Sequence, residues 1–282
     1  MSRSLRVDAH HHLWRLGRGD YGWLKPTVEL AAIYRDFDLS ELRPLLAAEH
    51  IDATVLVQAA PTVAETRFLL DAAHASGGLV QAVVGWADLG ATDAIETLNG
   101  LASDPLLKSV RPMLQDLADP DWIARADVEP ALAALPRLGL RFDALVKPPN
   151  LRALLRVIEH HPELAVVIDH CAKPGIAGDQ WQPWADDIEL ISRHPSAHCK
   201  LSGLVTEAGT RWTADRLRRY VDYVLECFGP GRVLWGSDWP VVTLAASYAQ
   251  WSNAADALLG ALSSEEREAI RGGNARRFYG LR

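Results

Sequence analysis

The chain has 282 residues, 49% of them hydrophobic, three cysteines and a formal net charge of −7, enough apolar content for one large buried core. The acidic balance and the lack of any Lys/Arg-rich run argue against a nucleic-acid partner, and no apolar stretch reaches membrane-spanning length. The unpaired Cys171, Cys199 and Cys227 suit neither a disulfide framework nor a thiolate zinc site, and the opening residues lack the basic-then-apolar layout of a signal peptide, so a cytoplasmic protein is expected.

Taken in chain order, short runs rich in β-branched residues alternate with segments of helical spacing. The first is "LRVDAH", continuing into "HHLW". In an extended strand Asp8, His10 and His12 share one face and His11 takes the other, so two imidazoles converge at one strand end. Then come "ATVLVQAA", ending at Gln58; "LVQAVVGWADL", ending at Trp86 and Asp88; and "LKSVRPML", ending near Arg111 and Gln115. "RFDALVKP" ends at Lys147, "AVVIDHCAKP" carries Asp169, His170 and Lys173, "AHCKLSG" carries Lys200 and Ser202 with Glu207 beyond it, and "RVLWGSDWP" carries Ser237, Asp238 and Trp239. Between them, residues 42–49, 65–75, 91–103, 128–138, 151–160, 184–193 and 214–228 space their apolar side chains as helices do. A last helix is expected after a cap at Ser263 or Ser264, with a second short one behind it.

Eight near-continuous apolar strands separated by helices read as parallel strands buried on both faces. The expected fold is a single (β/α)8 barrel over residues 1–282. Active sites of such barrels lie at the C-terminal strand ends, where the polar residues named above collect.

Three motifs, the HxH of "DAHHHLW", "IDHCAKP" and "GSDWP", stand in order with "VVGWADL", "VRPMLQD" and "CKLSGLVTEA" along nearly the whole chain. On these the sequence resembles the amidohydrolase superfamily, specifically its lactonase branch. The resemblance implies a first-strand pair in His10 and His12, a sixth-strand histidine in His170, a last-strand aspartate in Asp238, and a water-activating glutamate in Glu207. The dinuclear members' fourth-strand bridging residue and fifth-strand histidine have no counterpart in "VRPMLQD" and "LVKPPN". A two-metal site is therefore not expected. One zinc on His10, His12 and Asp238, with Glu207 or His170, remains compatible with the donor types, and so does a reaction needing no metal.

Lactone opening needs an activated water, stabilisation of the developing oxyanion and a proton for the leaving alkoxide. Asp238 or Glu207 could take the water's proton, while His170, Arg111 and Lys200 could donate to the carbonyl oxygen. Gln58, Gln115 and Ser202 are candidate partners for sugar hydroxyls, and Trp14, Trp86 and Trp239 for ring faces. Trp23, Trp122, Trp181, Trp184, Trp212 and Trp251 read as packing residues, and His50, His74, His160, His161, His194 and His198 as structural ones. The leading expectation is hydrolysis of a sugar-acid lactone, a small-molecule substrate. The alternatives are a zinc-dependent hydrolase or decarboxylase acting on an aromatic or dicarboxylate substrate, and a barrel that binds a sugar acid without turning it over. Oligomeric state has no signature in the sequence.

Overall fold

A computed structural model describes residues 5–282, so the first four residues of the expected domain lie outside it. Eight strands run in order: β1 (Val7–His11), β2 (Ala53–Val57), β3 (Val80–Gly85), β4 (Leu107–Val110), β5 (Arg141–Ala144), β6 (Val166–Ile168), β7 (Ala197–Leu201) and β8 (Val233–Trp235). Each pairs in parallel with the next. Closure from β8 back to β1 comes from the segment just past β8. There the Asp238 amide donates to the His10 carbonyl at 2.8 Å and the His12 amide to the Trp239 carbonyl at 2.7 Å. The (β/α)8 barrel expected from the sequence is therefore the observed architecture.

The strands read as continuously apolar because both of their faces are buried. Val7, Ala9, Val55, Val57, Val84, Val167 and Leu234 form one cluster with Phe278 and Tyr279, while a larger cluster lies between strands and helices. The helices are α1 (Leu39–Ala48), α2 (Val63–His74), α3 (Ala94–Ala102), α4 (Glu129–Arg137), α5 (Leu151–His160), α6 (Trp184–Ser192), α7 (Leu204–Ala208), α8 (Ala214–Phe228), α9 (Tyr248–Leu258), α10 (Ser264–Glu268) and α11 (Asn274–Tyr279). Their starts follow capping chemistry. Asp38, Thr62 and Thr213 accept from backbone amides of α1, α2 and α8, and Ser263 and Glu266 form a capping box at α10.

Two helices escape the periodicity of the sequence. α7 is one short turn and a half, below the length at which a period shows. α9 has the Ser247–Gln250 capping box, but alanines dilute its apolar face of Trp251, Ala254, Ala255 and Leu258. Asp8, on the same strand face as His10 and His12, holds backbone. Its carboxylate accepts from the amides of His10 (3.1 Å) and Ser237 (2.8 Å) and from the Tyr248 hydroxyl on α9 (3.0 Å), tying β1 to the end of β8. Burial pushes its pKa up to about 6. His11 takes the opposite face, as its parity requires, and meets Thr54 Oγ1 at 2.9 Å.

Candidate active site

At the C-terminal end of the barrel a chamber of ≈150 Å³ is lined by His12, Arg111, Gln115, His170, Lys173 and Asp238, with Trp23 and Leu145 among its apolar walls. His10 lies beside it, fully buried. Asp238 Oδ1 is 3.4 Å from His12 Nε2, 3.9 Å from His10 Nε2 and 4.0 Å from His170 Nε2. Three chamber residues, Asp238, His170 and Lys173, reach their positions on unusual backbone. Asp238 has φ of 60°, and His170 to Lys173 run four consecutive residues at φ of 49° to 60°. A left-handed residue other than glycine costs about 1–2 kcal/mol, so this turn persists because its surroundings hold it. Trp184 Nε1 donates to the Cys171 carbonyl at 2.7 Å and the Lys173 amide to the His170 carbonyl at 2.8 Å. Gly203 supplies both a left-handed turn and clearance: a Cβ there would fall 2.7 Å from the His170 ring.

Each imidazole is oriented by its other nitrogen. His12 Nδ1 donates to the Val57 carbonyl at 2.8 Å, which turns the Nε2 lone pair toward Asp238. His170 Nδ1 lies 2.9 Å from Ser202 Oγ. His10 Nδ1 faces a buried charge cluster, 3.1 Å from Lys200 Nζ and 3.4 Å from Asp169 Oδ1. Lys200 in turn lies 2.5 Å from Asp143 and 3.1 Å from Asp169, and Asp169 pairs with Arg111 at 3.0 Å. Tyr279 of α11 and Ser109 donate to Asp143 at 2.7 and 2.6 Å.

The electrostatics follow from this packing. Burial pushes His170 down to about 4 and His10 also well below the ordinary imidazole value, leaving both neutral at pH 7. Burial alone would raise Asp238, but the attraction of His170 and the contact with His12 outweigh it and hold the carboxyl below its ordinary range. Asp169 is likewise held low, because Lys200 and His10 outweigh its burial. Burial raises Asp143 against the pull of Lys200.

His10 Nε2, His12 Nε2 and Asp238 Oδ1 lie 3.2, 3.4 and 3.9 Å from one another. Three donors at about 2.0–2.2 Å from a tetrahedral zinc would be separated by roughly 3.3–3.6 Å, so the set fits one divalent ion. With His12 Nδ1 turned to the Val57 carbonyl, its Nε2 is the nitrogen available as a ligand beside the Asp238 carboxylate. The Nδ1 side of His10 offers two arrangements. Donation to Asp169 leaves Nε2 free for a metal, whereas acceptance from Lys200 puts the proton on Nε2, facing His12.

The structure gathers His10, His12, His170, Asp238, Arg111 and Gln115 as expected from the sequence, but six candidate substrate contacts lie elsewhere. Lys200 is fully buried behind His10, because two carboxylates claim its ammonium. Ser202 is spent on His170. Gln58 is locked to Arg111, donating to its carbonyl at 2.8 Å and accepting from its guanidinium. Trp14 and Trp239 are buried edge-on against Phe37, which leaves neither ring face to a ligand. Glu207, on α7, does not line the chamber. It pairs with Lys173 at 3.6 Å, and burial raises its pKa despite that partner.

Trp86 lines a neighbouring cavity of ≈560 Å³ together with Trp23 and Trp122, two residues that sequence reasoning assigned to packing. Asp143 was also missed. Its signal was a lone acid inside the apolar run "RFDALV", where a buried carboxylate demands a partner.

The amidohydrolase family model matches residues 7–281. An L-fucono-1,5-lactonase from Burkholderia ambifaria is 45% identical over 283 residues, covering 98% of this chain and 96% of its own length. An L-fucono-1,5-lactonase from Burkholderia multivorans is 35% identical over 290 residues, covering 99% of this chain and 97% of its own. The crystal structure of an amidohydrolase from Burkholderia multivorans with bound zinc superposes with a TM-score of 0.92 at 34% identity, over 99% of this chain and 100% of that one.

Proposed function

The chain belongs to the amidohydrolase family, and on that premise we propose that it hydrolyses sugar-acid lactones, with L-fucono-1,5-lactone or a close aldonolactone as substrate. The observation that carries this reading is Asp238. It is an ionised carboxylate ringed by three imidazoles at a small, partly apolar chamber.

Asp238 accepts a proton from water as the oxygen attacks the lactone carbonyl. The carbonyl oxygen gains charge as the tetrahedral intermediate forms, and nearby donors stabilise it. Arg111 suits this role because its guanidinium lines the chamber and is held in place by Asp169 and Gln58. The ring C–O bond then breaks and the alkoxide takes a proton, giving the open hydroxy acid. With Ser202 donating to Nδ1, His170 presents an N–H at Nε2 for that transfer and regains the proton from Asp238, 4.0 Å away, which returns to its ionised form. Lys173 at the chamber edge suits the carboxylate product. A divalent ion, zinc by donor type, would be held by His10, His12 and Asp238 and would polarise the carbonyl or acidify water.

The rival reading, a hydrolase or decarboxylase of dicarboxylates, finds less support. Such a ligand brings two carboxylates, and the chamber's two cations already face one each, Arg111 pairing with Asp169 and Lys173 with Glu207, which leaves too little positive charge for two more. The test is indicator-detected acid release from L-fucono-1,5-lactone by protein stripped with chelator and by the same protein with zinc restored. Ring opening in the stripped state assigns the chemistry to side chains alone, and recovery only with zinc makes His10, His12 and Asp238 its holders. No acid release from this or related aldonolactones in either state would overturn the proposal.

A further inference from the structure

We propose that the ≈560 Å³ cavity beside the reaction chamber is a second carbohydrate subsite, shaped for a neutral glycosyl unit attached to the lactone. The inference rests on the lactone reading and extends it. The two cavities share Trp23 and Met113 as walls and so adjoin one another. Small-molecule sites commonly measure about 300–1,000 Å³. The ≈150 Å³ inner chamber falls below that range and the outer cavity lies within it. A lone lactone ring would leave most of the combined space unfilled.

The walls specify the chemistry of the occupant. Trp23, Trp86 and Trp122 present indoles, which pack against the C–H faces of a pyranose. Trp23 is fixed by donation from Nε1 to the Ala59 carbonyl at 2.7 Å. Asp20, Asp88 and Asp116 stand among these rings as hydrogen-bond acceptors. Asp20 Oδ2 accepts from Arg18 and Thr62, both at 2.8 Å, which fixes this carboxylate at the cavity wall. Carboxylates at the outer cavity repel an anion, whereas Arg111 and Lys173 lie in the inner one. The acid-forming end therefore points inward and the neutral sugar outward.

The test compares kcat/KM for an aldono-1,5-lactone that the protein opens with kcat/KM for its 4-O-β-glycosyl derivative. The wild type should open the glycosylated lactone at least as efficiently as the plain one. Trp122→Ala should lower the glycosylated-to-plain ratio about tenfold, the scale of one lost aromatic contact, and Asp88→Asn should lower it by a smaller factor. Circular dichroism establishes that each variant is folded. Opening of the plain lactone with less than a tenth of that efficiency on the glycosylated one would overturn the subsite while leaving the reaction intact. Failure to open any lactone would refute the reaction instead, and tryptophan fluorescence titrated with lactitol then decides the subsite. Saturable quenching that is weakened in Trp122→Ala supports it, and an unchanged spectrum overturns it.

Discussion

The floor of the active site and its rim are built on opposite principles. Beneath the chamber, Asp143, Asp169 and Lys200 come from strands or the residue directly after one, are fully buried, and have each charge facing an opposite charge. Around the mouth, Trp23, Trp86, Trp122, Asp88 and the Lys173–Glu207 pair sit on connections or a short helix and are half-buried or exposed. A buried ion cluster tolerates almost no displacement, because any loosening leaves an uncompensated charge in low dielectric. Loops on a rigid barrel can change shape without unfolding it. The contrast suits the floor to holding His10 and Arg111 in place behind the chamber, and the rim to substrate choice.

Substitutions can break that division. The largest effect is expected from Asp238→Asn, which should lower kcat by about 10²- to 10⁴-fold, the usual worth of a general base. Its melting temperature should stay near that of the wild type, and retention of wild-type turnover would remove Asp238 from the chemistry. Lys200→Met should cost about 3–5 kcal/mol in urea unfolding, since it strands Asp143 and Asp169; an unchanged midpoint would show that the floor is not locked by charge. Gly203→Ala, which pushes a methyl group toward the His170 ring at a left-handed position, should destabilise by about 1–3 kcal/mol and depress kcat more than it raises KM.

Acid should act on His11, on the other face of β1, whose pKa burial pushes down to about 3. The unfolded chain takes up that proton near pH 6.5 and the fold does not, so stability falls as pH drops from 6.5 toward 3. The slope from this residue is about 1.4 kcal/mol per pH unit, and unfolding free energies of His11→Gln should lack it. The smallest effect is expected at the rim: Glu207→Gln should change kcat by no more than about threefold. A loss of a hundredfold would move the water-activating base from Asp238 to Glu207 and blur the division itself.

The barrel was legible because eight apolar runs and the helices between them carry its periodicity, and so were His10, His12, His170 and Asp238, whose motifs sit at strand ends. What escaped depends on distance in space. Polar residues beyond the strands look alike in sequence, but Lys200 and Ser202 are consumed by partners thirty or more residues away. The same holds for the tryptophans. Trp14 and Trp23 lie nine positions apart and meet edge to face at 5.7 Å, yet only Trp23 lines a cavity. Neither periodicity nor composition distinguishes the two.

The seam between β1 and the end of β8 also has a kinetic meaning. His12 and Asp238 lie on opposite sides of it, and the Asp8–Tyr248 bond beside it spans 240 residues. Contacts so distant along the chain are entropically expensive to form early, and they slow folding. During refolding from urea, the return of turnover should therefore lag behind the return of helical signal, so that catalysis itself times the moment at which the last strand finds the first.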